Sequence, residues 1–148
     1  MAIVDRLDAD LKEALRARDA VRTSTIRLAR AAIQNAVIDR RRPLSDEEVV
    51  AVLRHEVKRR REAIESYERG GRDDLVQREK LEMAILLGYL PATLPEDEIR
   101  ALALQVVAET GASGERDFGR VMGQVMRRVA GRAEGKAVER IVREVLRG

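Results

Sequence analysis

Apolar residues recur at three- and four-residue spacing from one end of the chain to the other, and no segment alternates apolar with polar as a strand does. That spacing gathers them on one side of a 3.6-residue helix, so the chain buries apolar surface by packing helix on helix. The side chains for this packing are few in kind. Aromatic residues are 2% of 148, which leaves leucine, isoleucine, valine, alanine and methionine to fill the core.

The pattern divides into seven helices. A first is predicted over about 2–18, with Ile3, Val4, Leu7, Leu11, Ala14 and Leu15 on its buried face. Asp19 is a suitable N-cap for a second over about 20–39, with Val21, Ile26, Ala29, Ile33 and Val37 inward. Arg40, Arg41 and Arg42 precede Pro43, and the residue before a proline is pushed out of the helical region. Ser45-Asp46-Glu47-Glu48 is a capping box that opens a third helix. It runs to Arg69, where Gly70-Gly71 stops it. Its apolar stripe (Val49, Leu53, Val57, Ile64, Tyr67) is thin, so helices two and three are expected to form a long hairpin. A fourth helix is predicted over 73–87, with Asp73 and Asp74 at its positive end and Leu81, Ile85 and Leu86 as its core.

Gly88-Tyr89-Leu90-Pro91 breaks the pattern, and Pro95 stands where proline tolerates a helix start. This places a boundary near residue 90. A fifth helix follows over about 96–109. The sixth carries Phe118, Val121, Met122, Val125 and Val129 on one face, and Gly131 is expected to end it in a left-handed conformation. The last runs over 135–146. The predicted class is all-α: an N-terminal four-helix domain with a long hairpin, 1–90, and a C-terminal three-helix tail bundle, 91–148.

Charge is uneven along the chain. Residues 118–148 hold eight cations and three acids, a net +5, while the remaining 117 residues sum to −2. Such asymmetry points to an anionic partner for the tail. Arg127, Arg128, Arg132 and Lys136 crowd the end of helix six and the turn after it, and Gly123 and Gly131 allow close backbone approach there. With no cysteine and one histidine, neither disulfides nor a thiolate metal site is available, and no metal or cofactor is expected. No apolar run reaches 18 residues, so no membrane span is expected, and early acids (Asp5, Asp8, Asp10) argue against a targeting peptide. A cytoplasmic protein is the resulting expectation.

No catalytic motif in the sequence is complete. Gly131 to Lys136 has three residues between its glycines and Ala137 after the lysine, which fails the phosphate-loop pattern. His55-Glu56 begins a zinc-protease motif, but Arg59 stands at the second histidine's position. Asp73-Asp74 reads as helix capping. Ser24 has no base near it in sequence.

The order Gly119, Met122-Gly123, Val125-Met126, Gly131-Arg132-Ala133 and Gly135-Lys136 resembles the tail motif of the GatB/YqeY family. Earlier runs, among them Arg22 to Arg27, Leu44 to Val49, Tyr67 to Leu75 and Tyr89-Leu90-Pro91, are similar to the free-standing YqeY pattern, so the resemblance covers nearly the whole chain. Two departures are Glu134, where the family usually has an Asp cap, and Pro95, where a capping Ser is common. The resemblance implies a tRNA- or structured-RNA-binding module without visible catalytic residues, with Arg127, Arg128, Arg132 and Lys136 on phosphates. It also implies a family association with carbon–nitrogen ligases that use glutamine as amido donor. The alternative it implies is an accessory protein of an amidotransferase or synthetase complex. In that case the apolar joint at Tyr89, Leu90 and Leu94 and the exposed hairpin would meet protein partners.

Overall fold

The computed structural model describes residues 2–148 and is all-α, as the periodicity requires. The helices are α1 (Ile3–Arg16), α2 (Ala20–Arg40), α3 (Asp46–Arg69), α4 (Asp73–Leu87), α5 (Glu96–Thr110), α6 (Phe118–Val129) and α7 (Gly135–Arg147), with a 3₁₀ turn at Glu115–Asp117. The chain separates into two compact units, Met1–Leu90 and Pro91–Gly148.

In the first unit Leu7 and Ala14 of α1, Ile26, Ala29 and Ile33 of α2, Val49, Leu53 and Val57 of α3, and Leu86 and Tyr89 share one core. α2 and α3 form the long hairpin, and α3 packs most extensively on α4. The capping box is complete: Glu48 N–H donates to Ser45 Oγ at 3.2 Å, and Ser45 N–H donates to Glu48 Oε1 at 3.0 Å. Asp19 caps α2 by accepting from Arg22 N–H at 3.1 Å.

Val4 and Leu15, expected on the buried face of α1, are exposed. Leu81 is a correction too. It was expected in the core of α4 but is exposed, while its neighbour Glu82 is buried with Val76 and Leu86. The reason lies on α3, where Arg60 is buried in the apolar stripe between Val57 and Ile64 and needs an acid opposite it. α4 therefore turns Glu82 inward.

Tyr89 ends the first unit as a core residue, its hydroxyl donating to Asp10 Oδ2 at 2.5 Å beneath the guanidinium of Arg6. Burial first, and then the Asp10 carboxylate, push the phenol well above the ordinary tyrosine range. The folded state thus holds a proton that the unfolded chain releases above about pH 10, so stability from this group is complete below that pH and is lost as pH rises. A Tyr89→Phe variant is expected to show a shallower loss of stability than wild type in urea melts between pH 9 and 11.

The second unit is a three-helix bundle in which α5, α6 and α7 all touch one another. Ile99, Ala103 and Val106 meet Val121, Val125 and Val129, and Val138, Ile141 and Val142 close the core. α6 ends differently from expectation: Ala130 already takes the left-handed conformation (φ 50°), and Gly131 follows with φ 78°. A left-handed alanine is disfavoured by its Cβ. Ala130→Gly is expected to raise stability by roughly 0.5–1 kcal/mol, read by urea unfolding. At the next turn Glu134 provides no side-chain cap to α7. Leu94 N–H, donating to Arg132 O at 2.7 Å, ties that turn to the segment leading into α5.

Candidate functional site

The residues expected to form a basic platform lie at the end of α6, in the following turn and at the start of α7. Arg127 and Lys136 are exposed there. Arg128 pairs instead with Glu109 of α5, whose carboxyl its guanidinium holds below the usual range. Arg132 folds back, its Nε donating to Val129 O at 3.2 Å. Gly123 is exposed and a Cβ there would meet nothing, and Gly131 serves the left-handed turn.

Most other cations of the segment are engaged as well. Arg140 pairs with Glu96 and Glu144, Arg147 with Glu115, and Arg120 with Asp117. Arg143 lies over the Phe118 ring at 4.2 Å and pairs with Glu139. The acids come largely from α5 and the 3₁₀ turn. Counted over 91–148, the bundle holds ten cations and nine acids, a net +1, so the +5 of residues 118–148 is offset once α5 packs beside α6 and α7. Tyr89, Leu90 and Leu94 likewise serve their own units: Tyr89 and Leu90 pack on the first core and Leu94 on the second.

The surface that stands out is the outer face of α2. Its inner face carries Ile26, Ala29 and Ile33 into the core. The opposite face presents Leu28 (53% exposed), Ala31, Asn35 and Ile38 (61% exposed). These residues follow one another at spacings of three, four and three, which keeps them on one side of a helix.

A groove runs along each side of this ridge. On the α1 side, a cavity of about 380 Å³ has Leu7 and Ile33 in its lining, with Arg27, Arg30 and Asp8 as its charged groups. Arg30 Nε stands 2.9 Å from Asp8 Oδ1. On the other side, a cavity of about 370 Å³ is lined by Leu28, Ala31, Ala32 and Asn35 of α2, by Glu56, Arg59, Arg60 and Ala63 of α3, and by Glu79 and Glu82 of α4. Ala31 lines both cavities.

The second groove contains the buried charges of the unit. Arg60, only 7% exposed, stands 3.3 Å from Glu56 Oε2 through Nη1 and 3.5 Å from Glu82 Oε2 through Nε. Arg78 reaches Glu82 Oε1 from outside at 3.4 Å. Glu79 is held above the usual carboxylate range, first by desolvation and then by the Glu82 charge. Arg60 and Glu82 did not figure among the site candidates read from sequence. The available signal was Arg60's position on the stripe Val49, Leu53, Val57, Ile64, where an apolar residue is due.

A family model described as "Yqey-like protein" matches residues 4–146. The chain is also similar to proteins named "Altered inheritance of mitochondria protein 41, mitochondrial". The one from Eremothecium gossypii is 40% identical over 103 residues, which is 69% of this chain and 56% of that protein. The one from Pyrenophora tritici-repentis is 32% identical over 126 residues, 81% of this chain and 69% of that protein. The one from Kluyveromyces lactis is 34% identical over 107 residues, 70% and 57% respectively. The chain thus spans little more than half the length of two of these relatives. Their names concern inheritance of mitochondria, not a tRNA-binding module or an amidotransferase accessory, and on that finding the function expected from the tail is corrected. The cytoplasmic location expected from composition is corrected by the same names, each of which ends in "mitochondrial".

Proposed function

The chain belongs to the YqeY-like family, and on that premise we propose that it works as a helical docking module, presenting the outer face of α2 to the apolar face of another helix. The observation that carries this reading is the exposed ridge of Leu28, Ala31, Asn35 and Ile38 with a groove on either side. Helices pack by setting ridges into grooves, and a ridge flanked by two grooves offers that geometry ready-made. Isolated exposed leucines are ordinary on protein surfaces, whereas apolar residues gathered on one face mark an interaction surface. In α4, by contrast, the exposed Leu81 and Leu87 are six residues apart and fall on different sides of the helix.

The test is site-specific photo-crosslinking in cells. A photoreactive residue at Leu28 or Ile38 is expected to yield a discrete, nuclease-resistant protein adduct. At Leu104, equally exposed (54%) but on α5, no such adduct is expected. An aspartate at the other ridge position should abolish it. Absence of any adduct at both ridge positions would refute docking. The process named in the relatives, inheritance of mitochondria, is the setting in which to ask what the docking serves.

A further inference from the structure

Resting on that docking reading, we infer that the helix received by α2 is the α2 of a second copy of this chain, lying parallel to it about a two-fold axis. The three-four-three spacing of Leu28, Ala31, Asn35 and Ile38 is the a/d spacing of a two-stranded coiled-coil seam. Ala31 lets the backbones approach at the middle of the seam. Asn35 is the polar member, and an asparagine at such a position fixes register by bonding to its own counterpart across the two-fold axis. An apolar foreign helix would leave that amide without a matched partner, at a cost.

The grooves give the direction. The α1-side groove carries Arg27 and Arg30 against the single acid Asp8. The other carries Glu56, Glu79 and Glu82 against Arg59 and Arg60, both already engaged, Arg59 with Glu56 and Arg60 with Glu56 and Glu82. A two-fold axis parallel to α2 sets each groove of one copy against the opposite groove of the other, bringing Arg27 toward Glu79. An antiparallel pair sets like grooves together and opposes like charges. Self-complementarity of one patch is what an isologous dimer requires.

Sedimentation velocity on the full chain from about 1 to 200 µM, a range that brackets micromolar affinity, should show the mass doubling. The Leu28→Asp/Ile38→Asp variant should remain monomeric, and Arg27→Glu should weaken association while Arg27→Glu/Glu79→Arg restores it. The chain has no cysteine, so single cysteines report register. Asn35→Cys is expected to form a disulfide-linked dimer on mild oxidation, and an equimolar mixture of Leu28→Cys and Ile38→Cys should give no 28–38 linkage. A wild-type monomer throughout the range would overturn the proposal. So would 28–38 linkage, or Asn35→Cys cross-linking no better than Leu104→Cys. If a photo-adduct at Leu28 has the mass of a different protein while the chain stays monomeric, self-association fails and docking stands. If there is no adduct, docking itself fails.

Discussion

Replacing Arg60 with alanine is expected to destabilise the first unit by about 3–5 kcal/mol, the range for removing one member of a buried ion pair. The guanidinium is the inner partner of both Glu56 and Glu82, and Glu82 is itself 8% exposed. Without it, Glu56 and Glu82 keep only the outer guanidiniums of Arg59 and Arg78, in a groove where Glu79 lies beside them. A double variant, Arg60→Met/Glu82→Leu, removes both charges and keeps apolar volume, and should recover most of the stability. Urea unfolding of the two variants gives the comparison directly. A cost below about 1 kcal/mol for Arg60→Ala would mean that the pair is solvated, as exposed pairs are.

Ile141→Ala is expected to cost about 2–5 kcal/mol, the range for truncating a fully buried aliphatic side chain. Ile141 lies on α7 with no exposed surface and shares the second core with Ile99, Val106 and Val125. A bundle built from Pro91–Gly148 is small, and total stabilities of about 5–15 kcal/mol are usual even for larger domains. The cavity should therefore consume much of the margin. Hydrogen exchange locates the effect: protection should fall at the amides of α5, α6 and α7. Unchanged protection there would mean that Ile141 is not a keystone of this core.

Several features were legible in the sequence because their causes are local. Ser45 and Glu48 exchange their hydrogen bonds within a single turn, so the start of α3 could be read from four letters. The ends of α2 and α4 follow from Pro43 and from Gly88 with Pro91 in the same way. The ridge on α2 was also present in the sequence, as Leu28, Ala31 and Ile38, but α2 is apolar on two faces, and periodicity does not say which face goes inward.

The site candidates fared differently. The tail resemblance and the +5 of the segment place Arg128 and Arg132 on phosphates. Their neighbours in space are Glu109, nineteen residues from Arg128, and for Arg132 the Val129 carbonyl at the end of α6. Leu81 is exposed and Glu82 buried because Arg60, on another helix, selects which of the two is buried.

The sequence by itself determined an all-α chain, where most helices begin and end, and which residues could fill an aliphatic core, since spacing, caps and prolines act over a few residues. Only the tertiary structure decided which charges remain available, since Coulomb pairing depends on distance in space and not along the chain. By bringing the acids of α5 back beside α6 and α7, packing offset the tail's +5. By committing one face of α2 to the core, it left the other exposed.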